Sequence, residues 1–169
     1  EPGTKKLPLL RDASDPLVAM EIAEGIIPVD QRATAMTYYK DQERAILATL
    51  IRLEATIGAG SMGRLVRLLK QGPKAVEEFV NELGDQRAKE EMGFFYELTL
   101  SQQTGLVAGL VGKLQPFDDP RLERATSRGL PHEEIDVAEV ARTPTFLYIG
   151  IPQGQLMEGG LRLALPDGG

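Results

Sequence analysis

The sequence predicts an all-α fold, a multi-helix bundle with one long central helix and a residual short strand near the C-terminus. Apolar residues recur at helical spacing through most of the first 142 residues, the clearest series being Ile46, Leu47, Leu50, Leu53 and Ile57. Helix-start pairs, an aspartate followed by a proline, stand at Asp15-Pro16 and again at Asp119-Pro120. Against that background residues 146–151, FLYIGI, form an apolar strand-like run. A lone strand cannot satisfy its own backbone donors and acceptors, so the run implies a sheet whose other strands are not evident here. The chain therefore reads as a piece of a larger protein.

Taken in order, residues 1–14, with Pro2, Gly3 and Pro8, show no periodicity and read as a loosely held leading segment. Asp15 caps orphan amides and the fixed φ of Pro16 suits a first turn, so a short helix runs from there to Glu24, stopped by Gly25 and Pro28. An amphipathic, well-buried helix follows from Thr37. Gly58, Gly60 and the cap Ser61 turn a tight corner into the next helix, which Gly72 and Pro73 end; Pro73 opens another that stops near Leu83. Asp85 caps the longest candidate, residues 86 to 115. At ~1.5 Å per residue it spans about 45 Å and crosses most of the domain. Gly105, Gly109 and Gly112 lie within it. Each costs roughly 1 kcal/mol relative to alanine, which predicts that a neighbouring helix approaches closely there. Asp119-Pro120 starts a short helix, and Asp136 with Glu139 resembles a capping box before a last turn ended by Thr143-Pro144. The helical domain is thus 15–142. Residues 143–169 are the strand and a glycine-rich tail that belong to, or abut, a missing domain.

Composition bounds the function. With 169 residues, 42% of them hydrophobic, the chain buries one core and makes a single domain. No apolar stretch approaches the roughly 20 residues of a membrane span, and no basic-then-apolar leader opens the sequence. The absence of cysteine excludes disulfides and thiolate metal sites, and the single His132 excludes a histidine metal cluster within one chain. A net charge of −6 argues against a protein wrapped around nucleic acid while leaving local basic faces open.

The residues Tyr38 to Leu53, YYKDQERAILATLIRL, then Leu98 to Arg128, LTLSQQTGLVAGLVGKLQPFDDPRLERATSR, then Thr143 to Pro152, TPTFLYIGIP, follow one another in a recognisable arrangement. It resembles the all-helical domain inserted into the motor of type IV secretion coupling proteins, the conjugation ATPases of the TraG and TraD kind. In that family a long helix rich in serine and threonine leads through an "F.DP" turn and a threonine–serine segment to a strand re-entering the nucleotide-binding domain. The resemblance covers about two thirds of the chain, from Thr34 to Pro152. It implies a substrate-recognition domain at the cytoplasmic mouth of a DNA-translocating hexameric ATPase, at the cytoplasmic face of the inner membrane. The implied partners are relaxase or relaxosome proteins, single-stranded DNA, secreted protein substrates and the rest of the motor. ATP and magnesium are expected in the missing motor domain and not in this segment. The competing reading is a stand-alone helical protein-binding adaptor or regulator, whose final strand pairs with residues 6–10.

The chemistry within the chain agrees with a non-enzymatic segment, with no catalytic, cofactor or metal residues expected. No GxxxxGK[ST] run cradles phosphates. GAGSMG, residues 58–63, matches GxGxxG but follows a helical pattern where a dinucleotide fingerprint requires a strand, so it reads as an inter-helix corner. Glu77, Glu78, Glu82, Glu90, Glu91, Glu133 and Glu134 read as a solvated acidic face able to steer a basic partner, and His132 as an exposed loop residue. Arg64, Arg67 and Lys70 share one helical face opposite Leu65, Val66, Leu68 and Leu69, and Lys74 follows with no acid between Ser61 and Lys74. An ordinary solvated face explains this stripe; the functional reading is a contact with DNA phosphates or cargo. Gln102 and Gln103, in the polar patch from Thr99 to Thr104, are the other candidate contacts, against a solvent-facing or capping turn. Arg121, Arg124 and Arg128 form a weaker basic set that pairs with Glu123 or Asp118. Tyr38, Tyr39, Phe94, Phe95 and Tyr96 could stack bases, although doublets at helical spacing bury at least one ring.

Overall fold

The computed structural model describes residues 5–32, 35–83, 85–129, 133–136 and 142. Among them the chain forms α1 (Pro16–Ile26), α2 (Ala35–Ala55), α3 (Met62–Lys70), α4 (Pro73–Glu82), α5 (Gln86–Glu91), α6 (Gly93–Glu97), α7 (Leu100–Leu114), a 3₁₀ turn (Gln115–Asp118) and α8 (Pro120–Thr126). The expected all-α architecture holds for these residues. The strand-like run at 146–151, His132 and Glu139 lie outside the described residues.

The long helix at the centre is α2. Ile46, Leu47, Leu50, Ile51 and Leu53 are all buried, and α2 packs against α1, α3, α5 and α7. Its partners in the core include Leu65, Val66 and Leu69 of α3, Val76 and Val80 of α4, Phe95, Leu110, Leu114 and Phe117. Each such side chain, fully buried, contributes about 1.5–3 kcal/mol, so packing around α2 and not local propensity holds the bundle together.

The single helix expected over residues 86–115 is three helices. Met92, with φ −83° and ψ −1°, ends α5, and Leu98 is extended at ψ 147°. Thr99 then starts α7 with a reciprocal capping box: its hydroxyl accepts from the Gln102 amide, and the Gln102 side chain accepts from the Thr99 amide. Phe95, in the short α6 between these two redirections, is buried in the core. The expectation of close packing at the α7 glycines is also overturned. A β-carbon at Gly105 or Gly112 would meet nothing within 4 Å, and one at Gly109 would meet only the tips of Glu43 and Lys113.

The leading segment is better anchored than its composition suggests. Leu10 and Ala13 are buried in the core. The amides of Leu7 and Leu9 donate to the carbonyls of Ala125 and Thr126 at the end of α8. Lys6 forms an isolated parallel bridge with Glu134, its amide donating to Glu133 at 2.7 Å and its carbonyl accepting from Ile135 at 2.9 Å. Backbone groups with no strand partner in sequence thus find acceptors across the chain.

Candidate functional site

The corner between α2 and α3 places most of the site. Gly60 sits where a β-carbon would lie 2.0 Å from the Glu54 carbonyl oxygen, a backbone atom that cannot give way, so only glycine fits there. Ser61, extended, caps α3 by accepting from the Arg64 amide at 3.1 Å. The Ser61 amide in turn donates to the Glu54 carboxylate at 3.0 Å. Glu54 is only 1% exposed, and burial pushes its carboxyl above the ordinary 4.5, opposed by that amide and by Arg64 and Arg67.

From α8, Glu123 reaches the same corner. The Ser61 hydroxyl donates to its Oε1 at 3.0 Å, and Arg67 grips it with both terminal nitrogens, Nη1 to Oε2 at 3.1 Å and Nη2 to Oε1 at 2.8 Å. The Arg67 fork, helped by Ser61, holds the Glu123 carboxyl below the usual glutamate range despite partial burial. A β-carbon on Gly63 would fall 2.5 Å from the Glu123 carboxyl carbon, so glycine there leaves room for the carboxylate. The GAGSMG string is the inter-helix corner expected of it, with Glu123 seated on it.

The basic stripe is real in geometry, but carboxylates from elsewhere in the chain meet it. Arg64, Arg67 and Lys70 are exposed along α3, with Leu65, Val66 and Leu69 buried behind them. Arg67 pairs with Glu123, Lys70 with Asp118 at 2.5 Å, and Lys74 with Glu78 at 3.7 Å. Arg64 approaches Glu54 more loosely, its Nε lying 3.5 Å from Oε1. Lys70 in turn draws the Asp118 carboxyl below its ordinary range. The Arg121 set is also redistributed. Arg121 turns back on Asp119, whose carboxyl it lowers to about 2, because Glu123 and Asp118 are taken by α3. Arg124 is exposed and has no ion-pair partner among the described residues.

These side chains surround an open cleft of about 510 Å³ between α3 and α8, lined by Ser61, Arg64, Arg67, Glu123, Arg124 and Ser127 among others. Gln102 and Gln103 lie elsewhere and serve the backbone: Gln102 closes the capping box, and Gln103 donates to the Phe95 carbonyl at 2.9 Å where α6 ends. Tyr38 and Tyr39 are both exposed, edge-to-face with one another, and Tyr38 also meets Phe94, whereas Phe95 is the buried ring of its doublet. Among the described residues no group of three or more histidine, aspartate or glutamate side chains could hold a metal ion, and no helix is long and apolar enough to cross a membrane.

The sequence does not mark Glu54 as a site residue, and it points to Glu123 only as a partner of the Arg121 set and not of Arg67. Glu54 carried a signal: four residues after Leu50, it falls on the apolar arc of α2, where a carboxylate must be buried and partnered. The pairing of Glu123 with Arg67 had none, since the two lie 56 residues apart. No protein-family profile, no curated protein and no solved structure matches this chain.

Proposed function

We propose that this chain is a substrate-recognition all-α domain of a type IV secretion coupling protein. It docks relaxase–DNA or protein cargo at the cytoplasmic mouth of a hexameric DNA-translocating ATPase whose ATP and magnesium sites lie in another domain. The observation that carries this reading is the backbone pairing of Lys6 with Glu134. Between those two residues the chain builds the whole described bundle, and a domain inserted into a host must be entered and left at neighbouring points. The order of motifs from Tyr38 to Pro152 supports the same reading. The mixed charge of the α3 face suits orientation of a polar protein partner more than it suits a continuous DNA track, because Arg67, Lys70 and Lys74 each already face a carboxylate.

The test is a binding assay of the chain against a relaxase, a relaxosome protein and single-stranded DNA at two salt concentrations. Binding of a relaxase or relaxosome protein that weakens at the higher salt is expected. Failure to bind any of them at low salt would remove the secretion reading. A stand-alone helical adaptor is the second reading, favoured by the burial of Leu10 and Ala13, which makes the leading segment part of the body.

A further inference from the structure

We propose that the cleft between α3 and α8 is a binding site for a phosphate ester, gripped by the Arg64 and Arg124 guanidinium groups together with the Ser127 hydroxyl. The site stands on its own geometry and does not depend on the secretion reading. Of the charged side chains lining the cleft, Arg64, Arg67 and Arg124 face one carboxylate, Glu123, on a chain whose net charge is −6. A local positive excess on an acidic protein attracts anions to that one place. Arg67 is committed to Glu123 through both its terminal nitrogens. Arg64 lies against Glu54 with its Nε at 3.5 Å, its terminal nitrogens make no hydrogen bond among the described residues, and Arg124 has no side-chain partner among them.

Two open guanidinium groups on one cleft suit an oxyanion whose oxygens point in different directions. A carboxylate has two oxygens in one plane, the geometry in which the Arg67 fork grips Glu123. A phosphate monoester or diester offers tetrahedral oxygens that two forks can reach from different sides. The Ser127 hydroxyl, now donating to the Arg124 carbonyl at 3.2 Å, can rotate to add a donor. The cleft volume, about 510 Å³, is within the range of small-ligand sites, roughly 300–1,000 Å³. The phosphate could belong to a free ester such as a mononucleotide or to the backbone of a single strand.

The experiment is an NMR titration of the whole chain with inorganic phosphate, thymidine monophosphate and a short oligothymidylate, following the Arg64, Arg124 and Ser127 signals. Saturable shifts at these residues are expected, with Arg64→Ala and Arg124→Ala each weakening binding about tenfold or more. Arg124→Lys keeps the charge and loses the fork, so it too should weaken binding, whereas Lys89→Ala, outside the cleft, should not. Saturation by thymidine monophosphate as readily as by the oligomer assigns the site to free esters; preference for the oligomer with a steep salt dependence assigns it to nucleic-acid backbone. Absence of shifts with all three probes would overturn the site. So would an Arg124→Lys protein that binds like the unaltered chain, since diffuse charge would then suffice.

Discussion

Arg52 and Arg67 each leave a helix of the bundle to clasp carboxylates from a distant part of the chain, but the Arg52 side chain is 9% exposed and that of Arg67 49%. Arg52 joins Asp85 and Glu91, so that α2 is tied to both ends of α5. Both acids have a second duty. Asp85 also accepts from the Ala88 amide as the cap of α5, and Glu91 also accepts from the Thr49 hydroxyl and from Arg87. Burial pushes the Glu91 carboxyl up, and the hydrogen bonds from Arg87, Thr49 and Arg52 overcome it and hold it below its ordinary range. At the α3–α8 cleft the same chemistry is left incomplete: Glu123 is satisfied, while Arg64 and Arg124 retain open donors. A closed network fixes two helices in place; an open one keeps donors available to a ligand.

The largest effect expected from breaking this contrast is at Arg52. Arg52→Ala removes the common partner of Asp85 and Glu91 and leaves both carboxylates without their guanidinium beside α2. Loss of one member of a buried pair costs about 3–5 kcal/mol, and both acids here keep about a third of their side-chain surface in water, so about 2–3 kcal/mol is expected from urea denaturation. Arg67→Ala should cost less, about 1 kcal/mol, because its pair with Glu123 is half exposed and Ser61 still donates to the carboxylate. Equal costs for the two substitutions would show that the exposed pair is as structural as the buried one, and the contrast would fail.

What the sequence made legible is the part of this fold that is local. Asp15, Ser61, Asp85 and Asp119 each cap a helix start where the sequence predicts one, because a cap and its amide lie two or three residues apart. The breaks at Met92 and Leu98 escaped because apolar residues continue on either side of them. Thr99 and Gln102 nevertheless stand in the serine/threonine-x-x-glutamate/glutamine pattern that marks a new helix start. The basic stripe was read correctly as a face of α3 and incompletely as a charge. Its counter-ions, Glu54, Asp118 and Glu123, come from α2, the 3₁₀ turn and α8, and only the folded chain brings them together. For the same reason Arg124 looked paired in sequence, one residue from Glu123, and is free of that partner in the fold.

The smallest expected effect concerns Glu54, and it has the opposite sign to that of the other carboxylates. Asp85, Glu91 and Glu123 are held below their ordinary values, so the stability they contribute is present above those values and lost as pH falls through the folded ones. Glu54 is raised by burial, so the folded chain retains its proton to higher pH than the unfolded chain. Stability attached to Glu54 therefore falls as pH rises from 4.5 through the raised value, and is level beyond it. Glu54→Gln keeps an oxygen to accept from the Ser61 amide and cannot ionise. Relative to the unaltered chain, the variant should gain stability across that window and hold the gain at higher pH, while both proteins lose stability together on the acid side. The change should be smaller than that of Arg67→Ala, because the Ser61 amide and the Arg64 guanidinium offset part of what burial does. Thermal melts of the two proteins at closely spaced pH values provide the measurement. A stability difference that stays constant as pH rises above 4.5 would mean that Glu54 ionises in the fold as it does in water, and that the α2–α3 corner admits solvent to it.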